Sequence, residues 1–217
     1  MDVIIFDLDD TLYDEKTFVK SGHKAVSSFL SPILQVDQEK IFCALQEELA
    51  NGREGLFDRV VGRYKKDNKK LVKQCLAVYR AHTPEIVLSD DAKMCLEQLE
   101  DKSVYVVTDG NVLVQRRKCV ALGLREKVKK CLCSWAYGRK YSKPSPYCFE
   151  KICRWENISP SQAVYIADNP HKDFVGIKPL GFHTIRLLAG PYAKDKVAPE
   201  YEAEQSVLHL SDILAWI

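Results

Sequence analysis

The chain of 217 residues contains no Gly-x-Gly and no Gly-Lys pair. These absences exclude the glycine-rich dinucleotide fingerprint and the phosphate loop. No Cys-x-x-Cys occurs among the eight cysteines, and Cys131-x-Cys133 has no matching second pair, so a structural zinc site is not expected. An excess of one charge is missing too. Lys plus Arg number 32 against 30 Asp plus Glu, for a net charge of +2, and the basic residues are spread along the chain. That balance argues against a dedicated nucleic-acid binder. No apolar run approaches the roughly 18–20 residues that span a bilayer, so no membrane partner is expected. There is no internal repeat or low-complexity tract. Asp2 followed by the short apolar run Val3 to Phe6 does not resemble a secretory signal. The expectation is a soluble cytoplasmic protein whose cysteines stay reduced and mostly serve as small core hydrophobes.

What is present suits a folded chain: 46% hydrophobic and 29% charged residues can build a sizeable core. Val3–Phe6, Val104–Val107, Ala163–Ala167 and the weaker Phe182–Leu188 are nearly continuous apolar runs, as buried parallel strands require. A fifth candidate is Cys131–Tyr137. Ser89 can cap a helix from Asp90 to Glu100 with Ala92, Cys95, Leu96 and Leu99 on one face. Ser145-Pro146 starts another, turning Phe149, Ile152 and Cys153 inward. Strand–helix alternation implies an α/β fold, a Rossmann-like doubly wound parallel sheet.

From Tyr13 to Pro84 the alternation stops. Val19/Val26/Phe29/Leu30, Ile41/Leu45/Leu49, Leu56/Val60/Tyr64 and Leu71/Cys75/Leu76/Tyr79 are spaced as successive helix faces. An all-helical domain is therefore inserted after the first strand, and Thr83-Pro84 marks the return. The expected division is residues 1–14 with 85–217 as the core and 15–84 as the insert.

Strand one ends in Asp7-Leu8-Asp9-Asp10-Thr11. Three carboxylates at the tip of a buried strand repel one another unless a cation sits among them. In extended backbone Asp7 and Asp9 share a side, an arrangement that suits an aspartate nucleophile with a second aspartate as proton donor and base. An ordinary Asx turn ending a strand uses the same residue types. The motif does not stand alone. Thr108 ends the second strand, Lys143-Pro144 follows in a loop, and Asp168-Asn169-Pro170-x-x-Asp173 follows a further strand. Asp7-x-Asp9-x-Thr11 and these three, in this order, resemble the haloacid dehalogenase superfamily, and the helical insert resembles that family's first type of cap.

The resemblance implies roles. Asp7 attacks phosphorus, and Asp9 protonates the leaving oxygen and then activates water. Lys143 balances charge, and Thr11 steadies the loop. Thr108, with the backbone of Asp109 or Gly110, holds a phosphoryl oxygen. Mg²⁺ is bound by Asp7, the Asp9 carbonyl and Asp168, with Asp173 in an outer acidic shell; an all-oxygen ligand set suits Mg²⁺ rather than zinc. Two positions depart from the family's habit, Ala167 for a frequent glycine and Asp109 for a frequent asparagine, and neither removes a reacting group. The implied activity is a Mg²⁺-dependent phosphatase, a phosphoric monoester hydrolase acting on a small phosphorylated metabolite of nucleotide or sugar phosphate type. Asp9 counts against dehalogenation, since dehalogenases of the family lack an aspartate there. A phosphomutase of the same fold, or a non-catalytic phosphate-binding relative, keeps the same residues.

Other residues have plainer readings. His171 lies in the fourth motif loop, facing substrate or solvent. His23, His82, His183 and His209 form no ligand spacing. Arg53, Arg59, Arg63, Lys65 and Lys66 in the insert either present cations to an anionic substrate or form a solvated face, the commoner use of such a run, and Arg116, Arg117 and Lys118 after the second strand read as surface charge. Tyr137, Tyr141 and Tyr147 flank Lys143, lining the cleft or covering strand ends.

Overall fold

The computed structural model describes residues 1–65 and 68–217, so Lys66 lies outside the described residues. The chain forms two compact units, Met1–Glu15 with Ile86–Ile217, and Lys16–Glu85.

The first unit is built on a six-stranded sheet of β1 (Val3–Phe6), β2 (Ser103–Thr108), β3 (Lys130–Cys133), β4 (Ala163–Ala167), β5 (His183–Leu187) and β6 (Gln205–Val207). Its order is β3-β2-β1-β4-β5-β6 and every pairing is parallel. β1 is fully buried and central, as its unbroken Val-Ile-Ile-Phe run demands. Helices α5 (Asp90–Gln98), α6 (Val112–Ala121) and α7 (Tyr147–Glu156) supply the connections. Ser89 caps α5 by accepting a hydrogen bond from the Ala92 N–H. Phe149, Ile152 and Cys153 of α7 join Ile5, Tyr165, Phe174 and Phe182 in one core cluster. The fifth strand candidate is shorter than expected: it ends at Cys133, and Ser134–Ala136 turns as a 3-10 segment that re-aims the chain. The Ser89 N–H donates to the Leu12 carbonyl at 3.0 Å, so the chain is fastened on both sides of the inserted segment.

The second unit takes up α1 (Glu15–Leu34), which begins at the last residue of the first, then α2 (Gln38–Leu49), α3 (Leu56–Tyr64) and α4 (Lys69–Ala81). Val26, Leu30, Ile41, Leu45, Val60, Leu71 and Cys75 share its core. Tyr64 and Leu76, expected on the inner faces, are exposed instead. Gly22 exists because a Cβ there would meet the Tyr79 ring at 2.4 Å. His23 is buried and accepts from the Gln46 amide at Nδ1 (2.8 Å), and burial holds its imidazole down at about 4. All eight cysteines are free thiols. No helix among the described residues is long and apolar enough to cross a membrane.

Candidate active site

Parallel pairing sets the tips of β1 and β4 side by side. The Asp7 N–H extends the ladder to the Ile166 carbonyl at 2.8 Å, and Asp168 follows Ala167 directly. One carboxylate oxygen from each of Asp7, Asp168 and Asp173 lies within 4.8 Å of the others, and all three residues are buried. Lys143 arrives from the loop before α7. Its ammonium donates to Asp7 Oδ1 at 2.6 Å and to the Tyr165 hydroxyl at 2.9 Å, and lies 2.7 Å from Asp173 Oδ1. Tyr165 in turn donates to Asp173 Oδ1, and the Asn169 N–H donates to Asp173 Oδ2. Gly176 permits this approach: a Cβ on it would sit 1.7 Å from the Pro144 carbonyl oxygen.

The electrostatics of this cluster are unbalanced. Three carboxylates face one ammonium, so full ionisation would leave an excess of two negative charges in a buried site. Burial pushes Asp7 up to about 6 despite Lys143 beside it. Burial, followed by the charges of Asp7 and Asp173, pushes Asp168 up to about 8. Lys143 goes the other way from a normal buried amine: burial would lower it, but Asp173 and Asp7 hold it well above its ordinary range. An all-oxygen donor set with two uncompensated charges fits a hard divalent cation.

Asp9 is held separately. Lys118 Nζ lies 2.7 Å from Oδ1, the Tyr13 hydroxyl donates to Oδ1 at 2.5 Å, and Gln115 Nε2 donates to Oδ2 at 3.0 Å. Burial would raise the Asp9 carboxyl, but the Lys118 ammonium and these hydrogen bonds hold it below the usual range. Lys118 therefore corrects the sequence expectation of a solvated residue: it is 3% exposed and points at the acidic loop.

Thr108 is buried, and its hydroxyl accepts from Gln115 Nε2 at 2.7 Å. Asp109 Oδ1 accepts from the Ser134 hydroxyl (2.5 Å) and the Lys143 N–H (3.3 Å), tying two loops together. Gly110 turns at φ +129°, a conformation that favours glycine, and Asn111 then caps α6 through the N–H groups of Leu113 and Val114. Thr11 is buried, with no hydrogen-bond partner for its hydroxyl among the described residues. Gln115, Lys118, Tyr13, Ser134 and Tyr165 are the neighbours that sequence reasoning missed or misjudged.

Other candidates sit elsewhere. His171 is half-exposed, 2.8 Å from Asp195. Arg59 and Arg63 clamp Glu48 from α2; the hydrogen bonds of Asn51, Arg63 and Arg59 hold that carboxyl near 2. Tyr141 stacks on Tyr147 with centroids 4.1 Å apart, and Tyr137 and Tyr147 pack against the core of the first unit, covering it.

A family model described as haloacid dehalogenase-like hydrolase matches residues 1–181. A protein of Methanocaldococcus jannaschii named glyceraldehyde 3-phosphate phosphatase is 28% identical over 91% of this chain and 89% of its own. Among solved structures, a 2-haloacid dehalogenase from Pseudomonas syringae superposes with a TM-score of 0.68 at 22% identity, covering all of both chains. A HAD-hydrolase of Bacillus subtilis, solved bound to magnesium, gives a TM-score of 0.68 at 17% identity over 99% of this chain and 97% of its own. These two share the fold. With its acidic strand tips and buried lysine at the motif positions, and a family match over most of its length, the chain belongs to the haloacid dehalogenase-like hydrolases.

Proposed function

We propose that the protein is a phosphatase that hydrolyses a small phosphorylated metabolite, of the sugar phosphate class, through an aspartyl-phosphate on Asp7. The observation that carries this is the Lys143 ammonium 2.6 Å from Asp7 Oδ1, in a buried cluster with the carboxylates of Asp168 and Asp173. Near full-length relatives named as phosphatases support hydrolysis over mutase chemistry, and an aspartate at position 9 supports attack on phosphorus over attack on carbon.

Phosphate monoesters resist nucleophiles because both partners are anionic, so the chain must neutralise charge as well as align atoms. Asp7 supplies the attacking oxygen while Lys143 offsets its charge. The anionic phosphoryl group bound beside Asp9 raises its carboxyl and lets it take up a proton from solvent; as the Asp7–phosphorus bond forms and the ester P–O bond breaks, Asp9 gives that proton to the departing oxygen. Asp9 then takes a proton from water as that water attacks phosphorus, which releases inorganic phosphate and restores Asp7. Thr108 and the backbone N–H groups after it are assigned to the phosphoryl oxygens, and Thr11 to the support of the loop. Asp7, the Asp9 carbonyl and Asp168 are assigned to Mg²⁺, with Asp173 holding Lys143 in place. Mg²⁺, when bound, supplies charge for the phosphoryl oxygens to lie against. The helical unit is assigned the cap's work of choosing the leaving group.

Release of nitrophenol from para-nitrophenyl phosphate, and of phosphate from a sugar phosphate panel that includes glyceraldehyde 3-phosphate, tests the reading. Turnover is expected to need Mg²⁺ and to vanish in Asp7→Asn, with an unchanged circular dichroism spectrum. Near-normal turnover in that variant would sink the mechanism.

A further inference from the structure

Helix α6 begins four residues after β2 ends, beside the acidic loop that its side chains reach. Its N-terminus is fixed by the Asn111 cap, and residues three apart on a helix share a face. Gln115 and Lys118 therefore reach the same target, Asp9, although more than a hundred residues separate them from it. Both are buried, at 3% exposure each. A buried amine 2.7 Å from a carboxylate has given up its hydration, an expense a surface lysine avoids, and the gain is a fixed carboxylate.

The two oxygens of Asp9 are treated differently. Oδ1 takes both the Lys118 ammonium and the Tyr13 hydroxyl. Oδ2 takes a single, longer bond from Gln115 Nε2, a donor that also serves the Thr108 hydroxyl at 2.7 Å and the Asp109 carbonyl at 2.7 Å. Gln115 thus ties the acid–base residue to the strand tip assigned to the phosphoryl group. Oδ1 is thus committed to two donors of its own, and Oδ2 is the oxygen left with only a shared amide.

We propose that Lys118 is a positioning residue for the phosphatase reaction, locking Asp9 Oδ1 so that Oδ2 is the oxygen that delivers the proton to the leaving group. The proposal rests on the phosphatase reading and adds to it a residue outside the four motifs.

A leaving group that departs as a stable anion needs little help from an acid, whereas a poorer one depends on it. Phenyl phosphate and para-nitrophenyl phosphate have nearly the same shape and differ in this respect. The quantity to measure is kcat/KM for both substrates, since it covers the steps up to departure of the phenol. For Lys118→Met the value for phenyl phosphate is expected to fall about 10²-fold, within the range contributed by a placed general acid, while para-nitrophenyl phosphate loses about tenfold less. Lys118→Arg, which keeps the cation, should recover much of the loss. Tyr13→Phe removes the other donor to Oδ1 without removing a charge and should show the same selectivity at smaller size, a check that stands if Lys118→Met does not fold. Equal losses on both substrates in Lys118→Met and Tyr13→Phe would mean a purely structural role and overturn the proposal. Absence of Mg²⁺-dependent turnover of either substrate by the wild-type protein would overturn the phosphatase reading itself, and the proposal with it.

Discussion

Asp168 is where the site's imbalance can be measured. Its carboxyl sits near 8 against an ordinary 3.8, chiefly through burial and then through Asp7 and Asp173. A carboxyl raised in the folded state holds a proton that the unfolded chain has released. Its contribution to metal-free stability therefore declines as pH rises from about 4 through about 8. A divalent cation binds the ionised form and only the folded chain, so it competes with that proton. The rise in Tm on adding millimolar Mg²⁺ is expected to be larger at pH 8 than at pH 6, and Asp168→Asn should melt higher than wild type at pH 8 without metal while losing the Mg²⁺ response. A Mg²⁺ shift that is flat or shrinks over that range would contradict the cation assignment. That Asp7, Lys143, Asp168 and Asp173 converge was legible in the sequence because together, in order, they resemble a family's motifs, each just beyond an apolar run or in the loop after one. Lys118 was not. Its meaning depends on Asp9, 109 residues earlier in the polypeptide, and a lysine beside Arg116 and Arg117 carries no mark of burial until the sheet has brought β1 and α6 together.

At the scale of elements, the loop that delivers Lys143 depends on one glycine. A Cβ at Gly176 would overlap the Pro144 carbonyl oxygen at 1.7 Å, and backbone cannot rotate away as a side chain can. Gly176→Ala should lower stability by about 1–3 kcal/mol in denaturant melts and lower kcat as well, because Pro144 follows Lys143 directly. An alanine variant with wild-type stability and turnover would show that the two loops are free to separate. The strands were read well where burial on both faces left no polar residues, as in β1 and β4. β6 escaped because it has three residues and two of them are exposed, which leaves almost no apolar signal. Cys131–Tyr137 was read too long because hydrophobicity continues past the strand: Trp135 there leaves the sheet, with its indole N–H on Ser142 and the Arg139 guanidinium over its ring.

On the scale of the whole molecule, the fastening of Leu12 to Ser89 bears on how such a chain came to carry an insert at all. A disordered stretch of 70 residues (85 − 16 + 1) between two fixed points would cost about 2 kcal/mol more in closure entropy than a six-residue link. A segment packed around a core of its own avoids most of that penalty. The host in turn keeps the two ends of the gap together through its own backbone hydrogen bond, whatever fills the gap. All of Asp7, Lys143, Asp168 and Asp173 belong to the host. Replacement of residues 16–85 by a flexible linker of about six residues should therefore leave a protein that melts cooperatively and still gains Tm with Mg²⁺; a molten product would show that the host leans on its insert. The joint acts as a socket: its rim is a backbone hydrogen bond of the host, and the strands that carry the reacting residues are closed without any residue of the segment plugged into it.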